Sequence, residues 1–439
     1  MDSVDTINEH LVRGDIDHPS LFPHLSRLME KPFIFNIDFG LKDLPTEPGI
    51  LTIRGARQYG KSTWLEQQLK QSIHSFGPGS AFYLNGENIL VADALEQKLE
   101  SLIPAFSKDA KVRRIFIDEI TAIDNWAIVL KRMVDNGKLR NILIVTTGSS
   151  ATDLHRGTER LPGRKGKLDR TNYLFTPISY REFKRVCGKQ LGAKTVISYL
   201  LSGGSPVACS ELAEFGSIPE YVIELVRDWV DGEIARSGRS RSSLWNVMLV
   251  LHRLGTTPIG QAKLARESGL ANNTIAHGYT EILHDLGCVI PAYPWDQHRE
   301  ILIKRKECKY HFTNLLVALV YYSGTIRSVD DFLTLPAEKQ GIWYEWLIAQ
   351  EILRRNSIEG THILAPLAFW QNKNHEIDFV IPRKITEYIE IKRGGTSLLE
   401  FSWFPKQFPH SHLTVISKDQ YNTDQMTGCL LEDFLLAED

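Results

Sequence analysis

The stretch from Gly55 to Thr63 limits the possible folds of this chain more than any other segment. It reads Gly-Ala-Arg-Gln-Tyr-Gly-Lys-Ser-Thr and fits the pattern G-x-x-x-x-G-K-[ST] in full. An apolar run over 49–53 precedes it, and a helical pattern beginning at Trp64 follows it. A strand, a glycine-rich loop and a helix in this order cradle phosphate groups on backbone N–H groups. A chance glycine-rich turn is the alternative, and the strand and helix on either side argue against it.

The residue types in this loop suit a nucleoside triphosphate. The glycines let backbone N–H groups turn towards the phosphates, Lys61 can reach the β- and γ-phosphate oxygens, and the Ser62 hydroxyl is a ligand for Mg²⁺. ATP and Mg²⁺ are therefore the predicted cofactors. The residues predicted to bind the nucleotide are Gly55, Ala56, Arg57, Gln58, Tyr59, Gly60, Lys61, Ser62, Thr63 and Thr147.

Two further apolar runs end in polar residues that complete the same chemistry. The run 115–117 is followed by Asp118 and Glu119, and the run 142–145 leads into Thr147 and other hydroxyl residues. We expect Asp118 to hold Mg²⁺ through water, and Glu119 to polarise the water that attacks the γ-phosphate. The hydroxyl groups after the second run are expected to sense the γ-phosphate.

Strands alternate with helices over 48–150, which predicts an α/β fold with a doubly wound parallel sheet and its chemistry at the carboxyl ends of the strands. The chain has 439 residues, enough for several domains. The predicted parts are a helical lead-in, a P-loop core, a helical lid, a winged helix and a C-terminal α/β domain, over residues 1–47, 48–176, 177–240, 241–314 and 336–439 respectively.

The predicted winged helix has two interpretations. Apolar residues recur along 273–286 at the spacing of one buried helical face, and two strand-like runs follow. In the first interpretation, Asn273 to His284 is a DNA recognition helix. The basic residues then expected on phosphates are Lys304, Arg305, Lys306 and Lys309. In the second, the region only packs against the rest of the protein and contacts no DNA.

The C-terminal part of the chain carries a second possible active site. Asp378 lies in an apolar strand, and the next strand contains Glu390 and Lys392, which period-two alternation places on one face. Two acids beside a lysine can hold a divalent cation, Mg²⁺ or Mn²⁺, and orient a water molecule against a phosphodiester. Asp378 and Glu390 would bind the metal, Lys392 would position the nucleophile, and Glu345 would complete the site from a helix. The alternative is a set of solvated charges.

Composition limits the partners. The formal net charge of -2 at pH 7 gives no overall attraction to nucleic acid, so any such contact depends on a local patch. Residues 160–189 are one candidate, with nine Lys or Arg and two acids. The five cysteines are scattered, and no apolar run is long enough to cross a membrane. These features predict a cytoplasmic protein without a membrane partner.

Short motifs in a fixed order resemble those of bacterial and archaeal AAA+ ATPases that carry a C-terminal PD-(D/E)xK nuclease-like domain. The motifs are the loop at 55–63, Thr147-Gly148-Ser149-Ser150, Leu161-Pro162-Gly163-Arg164, and residues 176–183 and 199–206. The resemblance implies an AAA+ core and lid, a winged helix and a restriction-endonuclease-like domain. It also implies that Arg164 is an arginine finger for a neighbouring subunit's nucleotide, which predicts a homo-oligomer. Otherwise Arg164 is one more member of the basic stretch.

Two functional hypotheses follow. The first is a Mg-dependent ATPase that acts on nucleic acid, with DNA favoured, and that carries a metal-dependent nuclease site. Its predicted catalytic residues are Lys61, Glu119, Arg164, Glu345, Asp378, Glu390 and Lys392. The second is a regulatory or STAND-like ATPase whose winged helix and nuclease-like domain only bind DNA or a protein partner, without cleavage.

Overall fold

The computed structural model describes residues 3–89, 91–149, 168–360 and 364–437. The chain divides into two compact units. The first contains Met1–Thr176 together with Ser357–Thr361, and the second contains Pro177–Asn356 together with His362–Asp439. Within the described ranges, no helix is both long and apolar enough to cross a membrane.

A sheet of five parallel strands forms the centre of the first unit, in the order β2-β3-β4-β1-β5. The strands are β1 (Gly49–Arg54), β2 (Ala81–Asn85), β3 (Arg114–Asp118), β4 (Leu143–Gly148) and β5 (Asn172–Leu174). The α/β fold with a parallel sheet is thereby confirmed. The edge strand β5 has only three residues, too few for a sequence pattern to reveal.

Helices cover both faces of this sheet, and every residue of β3 and β4 is buried. Such burial explains why these strands are nearly continuous apolar runs. The helices of the first unit are Ser3–Arg13, Pro23–Met29, Lys61–Phe76, Ala92–Leu102 and Trp126–Asp135. Because all the strands are parallel, the loops that follow β1, β3 and β4 meet at one edge of the sheet.

Polar contacts attach the lead-in helices to this core. The Asn8 side chain exchanges two 2.9 Å hydrogen bonds with the backbone of Tyr83. The Glu66 carboxylate accepts hydrogen bonds from the N–H groups of His24 (3.0 Å) and Leu25 (2.9 Å). Burial is the largest influence on Glu66 and raises its pKa to about 7, although both backbone hydrogen bonds favour the charged form.

The second unit begins with the helical segment that the sequence pattern predicts. Its helices are Tyr180–Leu191, Thr195–Ser202, Pro206–Phe215 and Glu220–Arg236. The chain turns sharply at Gly203 and Gly204, whose φ angles are 57° and 69°. A Cβ atom on Gly204 would lie 2.7 Å from the carbonyl oxygen of Ile178, so this turn requires glycine.

Several residues of the basic stretch at 160–189 have internal partners. Lys184 pairs with Glu432 at 2.9 Å, and Arg185 pairs with Glu182 at 2.6 Å. The Arg170 guanidinium donates hydrogen bonds to three backbone carbonyl oxygens. Among the described residues of this stretch, the charges of Lys184 and Arg185 are therefore paired with carboxylates.

Three helices and a set of antiparallel strands follow. The helices are Arg241–Leu254, Gln261–Glu267 and Asn273–Asp285, and the strands are β6 (Val289–Asp296), β7 (Ile301–Leu302) and β8 (Lys309–Phe312). Strand β6 pairs with both β7 and β8. The helix Asn273–Asp285 buries Tyr279, Ile282 and Leu283, which belong to the predicted apolar face.

The six C-terminal strands form one mixed sheet of nine strands together with β6, β7 and β8. They are β9 (Leu367–Gln371), β10 (Glu376–Ile381), β11 (Glu387–Ile391), β12 (His412–Ile416), β13 (Tyr421–Asn422) and β14 (Met426–Cys429). The sheet order is β13-β14-β12-β11-β10-β9-β6-β7, with β8 paired to β6. The accompanying helices are Leu315–Val320, Val329–Leu333, Ala337–Glu359, Phe404–Gln407 and Leu431–Leu436. The parallel pairing of β6 with β9 makes the sheet continuous.

Candidate functional site

The glycine-rich loop lies at the carboxyl end of β1, where the helix Lys61–Phe76 begins. Gly60 has a φ of 100°, a backbone conformation that residues with a Cβ rarely adopt. The side chain of Lys61 is buried, and its Nζ donates hydrogen bonds to the carbonyl oxygens of Gly55 (3.0 Å) and Ala56 (2.8 Å). Burial lowers the pKa of Lys61, and two nearby carboxylates oppose this effect.

Asp118 ends β3 in a buried position beside β4. Its Oδ1 accepts hydrogen bonds from the Thr147 hydroxyl and from the Glu119 N–H, the latter at 3.2 Å. Thr147 is fully buried in β4. The adjacent strand therefore fixes the orientation of the Asp118 carboxylate.

Glu119 follows Asp118 in a left-handed backbone conformation, with φ of 45°. Its Oε2 accepts hydrogen bonds from the Ser149 N–H (3.1 Å) and from the Ser149 hydroxyl (3.0 Å). The Ser149 oxygen in turn accepts a 3.4 Å hydrogen bond from Nε of Arg57. A chain of polar contacts thus links the glycine-rich loop to the Glu119 carboxylate. No feature of the sequence singles out Ser149 as the partner of Glu119.

Gly86, which follows β2, lies against the backbone of Glu119. A Cβ atom at this position would lie 2.4 Å from the carbonyl oxygen of Glu119. Only glycine allows the two backbone segments to approach this closely. Sequence reasoning does not identify Gly86, because a single glycine after a strand is ordinary turn composition.

The predicted residues Lys61, Asp118, Glu119 and Thr147 therefore lie at the same edge of the sheet. Ser62 and Thr63 follow Lys61 in the first turn of its helix. The predicted finger residue, Arg164, lies outside the described residues.

A protein-family match covers this part of the chain. Residues 47–184 match the family described as AAA domain. The loop, the buried Asp118 and the parallel sheet all fall within these residues. The chain contains an AAA-type P-loop ATPase domain. ATP with Mg²⁺ is the ligand that this class of domain uses.

The chain is similar to several known proteins. The uncharacterized protein MJ1544 of Methanocaldococcus jannaschii is 23% identical over 378 residues, which are 83% of this chain and 78% of that protein. The Walker-type ATPase PABY2304 of Pyrococcus abyssi is 13% identical with a TM-score of 0.41, covering 68% of this chain and 93% of that one. The ORC2 protein of Aeropyrum pernix is 12% identical with a TM-score of 0.36, covering 80% of this chain and 95% of that one.

Outside the AAA domain, the second unit brings the predicted C-terminal residues together. The Asp378 N–H donates to Oε2 of Glu390 at 3.2 Å, and Oδ2 of Asp378 accepts from the Ile391 N–H at 2.8 Å. Lys392 pairs with Oε1 of Glu390 at 2.6 Å. Glu345 is buried in the helix Ala337–Glu359. Within the described ranges, no group of three or more His, Cys, Asp or Glu side chains has the arrangement of a metal site.

Lys309 lies within this cluster, although the sequence pattern assigns it to a phosphate contact. It begins β8, its side chain is 2% exposed, and its Nζ forms an ion pair with Glu376. The same Nζ lies 3.8 Å from Oε1 of Glu345 and 4.0 Å from Oδ1 of Asp378. The prediction that Lys309 contacts a phosphate is wrong, because its ammonium group is buried among carboxylates.

Burial governs the protonation of these acids. It raises the pKa of Glu345 well above its ordinary value and raises that of Asp378. Burial, followed by repulsion from Asp378, raises the pKa of Glu390 to about 8. Burial alone would lower the pKa of Lys309, but the surrounding carboxylates outweigh it and raise that pKa.

A separate group of polar residues is exposed on the helix Asn273–Asp285 and on the turn after β7. On the helix these are Asn273, Thr274 and His277, and on the turn they are Lys304, Arg305 and Lys306. Asn272 precedes the helix, and its Oδ1 accepts a 2.9 Å hydrogen bond from the Ile275 N–H. Asn272 is therefore a helix cap.

Proposed function

We propose that the AAA domain binds and hydrolyses Mg-ATP at the carboxyl edge of its parallel sheet. The observation that carries this proposal is the placement of Lys61, Asp118 and Glu119 at that one edge, each in a position fixed by hydrogen bonds. Lys61 now donates to two loop carbonyl oxygens, and on binding it would exchange them for β- and γ-phosphate oxygens.

The donor set at this edge suits Mg²⁺. Magnesium prefers carboxylate and hydroxyl oxygens, which Asp118 and Ser62 supply. The contacts of Asp118 with Thr147 and with the Glu119 N–H hold the carboxylate in a single orientation. When bound, the ion neutralises charge on the β- and γ-phosphate oxygens.

Glu119 is the proposed general base. A base must be held within hydrogen-bond reach of the attacking water and must remain accessible to it. The two hydrogen bonds from Ser149 hold the Glu119 carboxylate, and the residue is only half-buried. Both conditions support the assignment of Glu119 over the deeply buried Asp118.

The nucleotide site can be tested with Lys61→Ala. Binding of a fluorescent ATP analogue and release of phosphate are measured for the wild type and the variant, with Lys70→Ala as the control on the same helix. We expect Lys61→Ala to lose both activities and Lys70→Ala to keep both. Tight nucleotide binding and normal hydrolysis by Lys61→Ala would disprove the site.

We further propose that the ATPase acts on nucleic acid, with duplex DNA favoured, through the region 241–314. Support comes from the order of three helices and antiparallel strands, which is that of a winged helix. The exposed polar positions of the helix Asn273–Asp285 can contact base edges, and the exposed basic turn at 304–306 can contact phosphates.

Charge reversal on the basic turn tests this surface. Fluorescence anisotropy with duplex DNA is measured across a salt series for wild type and for the combined Lys304→Glu, Arg305→Glu and Lys306→Glu variant. We expect weaker binding and a salt slope smaller by about 2 or more. Lys384→Glu, on the turn between β10 and β11, is the control. If the wild-type protein hydrolyses ATP but does not bind DNA, a regulatory ATPase with a protein partner is favoured.

We propose that the C-terminal domain binds nucleic acid or a protein partner and does not cleave nucleic acid. The lack of cleavage is supported by Lys392, which is paired with Glu390 at 2.6 Å, and by Lys309, whose ammonium lies among the acids. Duplex, single-stranded and branched DNA, and RNA, are incubated with the protein and Mg²⁺ or Mn²⁺. We expect no cleavage. Cleavage that disappears in Asp378→Ala or Lys392→Ala would instead establish the nuclease.

We also propose that the protein assembles into a homo-oligomer. An arginine finger at Arg164 would act on a neighbouring subunit's nucleotide, so the ATPase should depend on a homo-oligomer. Specific activity is measured against protein concentration, together with mass in solution with and without nucleotide. A monomer that hydrolyses ATP equally well at every concentration, with or without Arg164→Ala, would rule this out.

A further inference from the structure

The ammonium group of Lys309 occupies the centre of the C-terminal carboxylates. Its nearest acid is Glu376, and Oε1 of Glu345 and Oδ1 of Asp378 lie within 3.8 and 4.0 Å. These acids come from a helix and from β10, whereas Lys309 comes from β8. Among the described residues, Lys309 is thus the cation that lies within ion-pair distance of all three carboxylates.

A second buried group faces the same position. His311 is fully buried, neither of its ring nitrogens has a hydrogen-bond partner among the described residues, and its Nδ1 lies 3.7 Å from Oε1 of Glu345. That Glu345 oxygen also lacks a hydrogen-bond partner. Unpartnered buried nitrogen and oxygen atoms are uncommon in native proteins and call for an explanation. Imidazole nitrogen and carboxylate oxygen are both donors for Mn²⁺ and related cations.

The backbone fixes Lys309 in this position. In β8, Lys309 is the register partner of Ala292 in β6, and Ala292 is also the register partner of Leu367 in β9. Strand β9 then pairs with β10, which carries Glu376 and Asp378. The lysine and two of its acids therefore belong to one hydrogen-bonded sheet, so the contact does not depend on a loop conformation.

The positive charge of Lys309 prevents a divalent cation from binding to the same carboxylates. Buried carboxylates need a positive partner, because isolated charge is costly to remove from water. A divalent cation bound by the same oxygens would lie within about 4 Å of the ammonium, a strongly repulsive separation in a buried site. An ammonium and a divalent ion are therefore alternatives in this cluster.

We propose that the Lys309 ammonium takes the place of a divalent cation, and that Glu345, Glu376, Asp378 and His311 form a latent cation site that opens when this ammonium is removed. The cation class is Mn²⁺ or Mg²⁺, given the predominance of carboxylate donors. This inference is independent of ATP hydrolysis, and it explains why the cluster should not cleave phosphodiesters.

Binding of Mn²⁺ to the full-length, nucleotide-free protein tests the inference by electron paramagnetic resonance. The proteins compared are wild type, Asp378→Asn, Lys309→Met, Lys309→Met with Asp378→Asn, and Lys384→Met as the exposed-lysine control. Any Mn²⁺ bound at the AAA domain is common to all five and cancels. We expect one additional Mn²⁺ in Lys309→Met alone, and loss of that ion when Asp378→Asn is added.

Two results would overturn the inference. One is a Mn²⁺ site already present in wild type and abolished by Asp378→Asn alone. The other is a folded Lys309→Met that binds no additional Mn²⁺. Should Lys309→Met fail to fold without cation, refolding in Mn²⁺ but not in K⁺ supports the inference, and failure in both contradicts it. None of these readouts uses ATPase activity, so the outcome is separate from that of the ATPase proposal.

Discussion

The hydroxyl group of Ser149 donates a 3.0 Å hydrogen bond to Oε2 of Glu119, and the Ser149 N–H donates to the same oxygen at 3.1 Å. Ser149 follows β4 and Glu119 follows β3, so two neighbouring strands hold the proposed base. Arg57 of the glycine-rich loop donates to the Ser149 oxygen at 3.4 Å. The phosphate-binding loop and the proposed base therefore share one polar network.

Substituting Ser149 should slow hydrolysis without removing nucleotide binding. In Ser149→Ala, the Glu119 carboxylate loses one of its two Ser149 donors, so we expect kcat to fall about tenfold with little change in KM. Ser149→Thr keeps the hydroxyl group and should restore most of the rate. Steady-state phosphate release measures both constants. Equal kcat values for wild type and Ser149→Ala would show that this hydrogen bond does not position the base.

Gly86 should be similarly sensitive, for a steric reason. The added Cβ of Gly86→Ala would lie 2.4 Å from the Glu119 carbonyl oxygen and would displace the backbone that carries the base. We expect kcat to fall by about tenfold or more. Gly232→Ala is the matched control, because its Cβ would meet no atom within 4 Å. A Gly86→Ala protein with normal kcat and normal nucleotide binding would contradict the proposed dependence.

Glu66 predicts a pH dependence of stability. Its pKa is raised from 4.5 to about 7 in the folded protein, so the folded state holds the proton more tightly than the unfolded state. The stabilisation is complete below pH 4.5 and is lost as the pH rises through about 7. Glu66→Gln removes this pH-dependent stabilisation. The Tm of the variant should therefore rise relative to that of wild type as the pH increases from 5 to 8. Thermal unfolding at several pH values measures the difference, and two curves that stay parallel would refute the assignment.

Arg114 should contribute to stability rather than to chemistry. Its buried guanidinium donates to Oγ of Ser72 at 2.8 Å and to the carbonyl oxygens of Leu44 and Pro45 at 3.0 Å. Arg114→Met leaves these acceptors without their donor, and we expect a loss of about 2 to 4 kcal/mol in the free energy of unfolding. Denaturant titration measures it, with Arg140→Met as the exposed control. A loss no larger than the control's would mean that other groups satisfy these acceptors.

The nucleotide-binding edge could be predicted because its residues are close in sequence to the strands that carry them. Lys61 follows its strand through a loop of fixed pattern, and Asp118 ends an apolar run. Parallel strands then bring both to one edge. Ser149 and Gly86 could not be assigned in this way. Their roles depend on contacts between strands that no local pattern encodes.

Lys309 shows the limit of charge patterns. It follows three exposed basic residues at 304–306, and alternation in β8 places it with His311 on one face. Polar residues on one face of a strand usually indicate solvent. Here that face is buried against the carboxylates of Glu345 and Asp378. Only the pairing of β6 with β9, which is not visible in the sequence, reveals the contact.

Single-turnover phosphate release by Glu119→Gln shows whether Glu119 is the base for ATP hydrolysis. Glutamine preserves the shape of the side chain and can still accept the Ser149 hydrogen bonds, but it cannot take a proton. For Glu119→Gln we expect Mg-ATP binding close to that of wild type and phosphate release slower by about 100-fold or more. Glu87→Gln, which changes an exposed acid nearby, should release phosphate at the wild-type rate. Wild-type phosphate release by Glu119→Gln would contradict the role of Glu119 as the base.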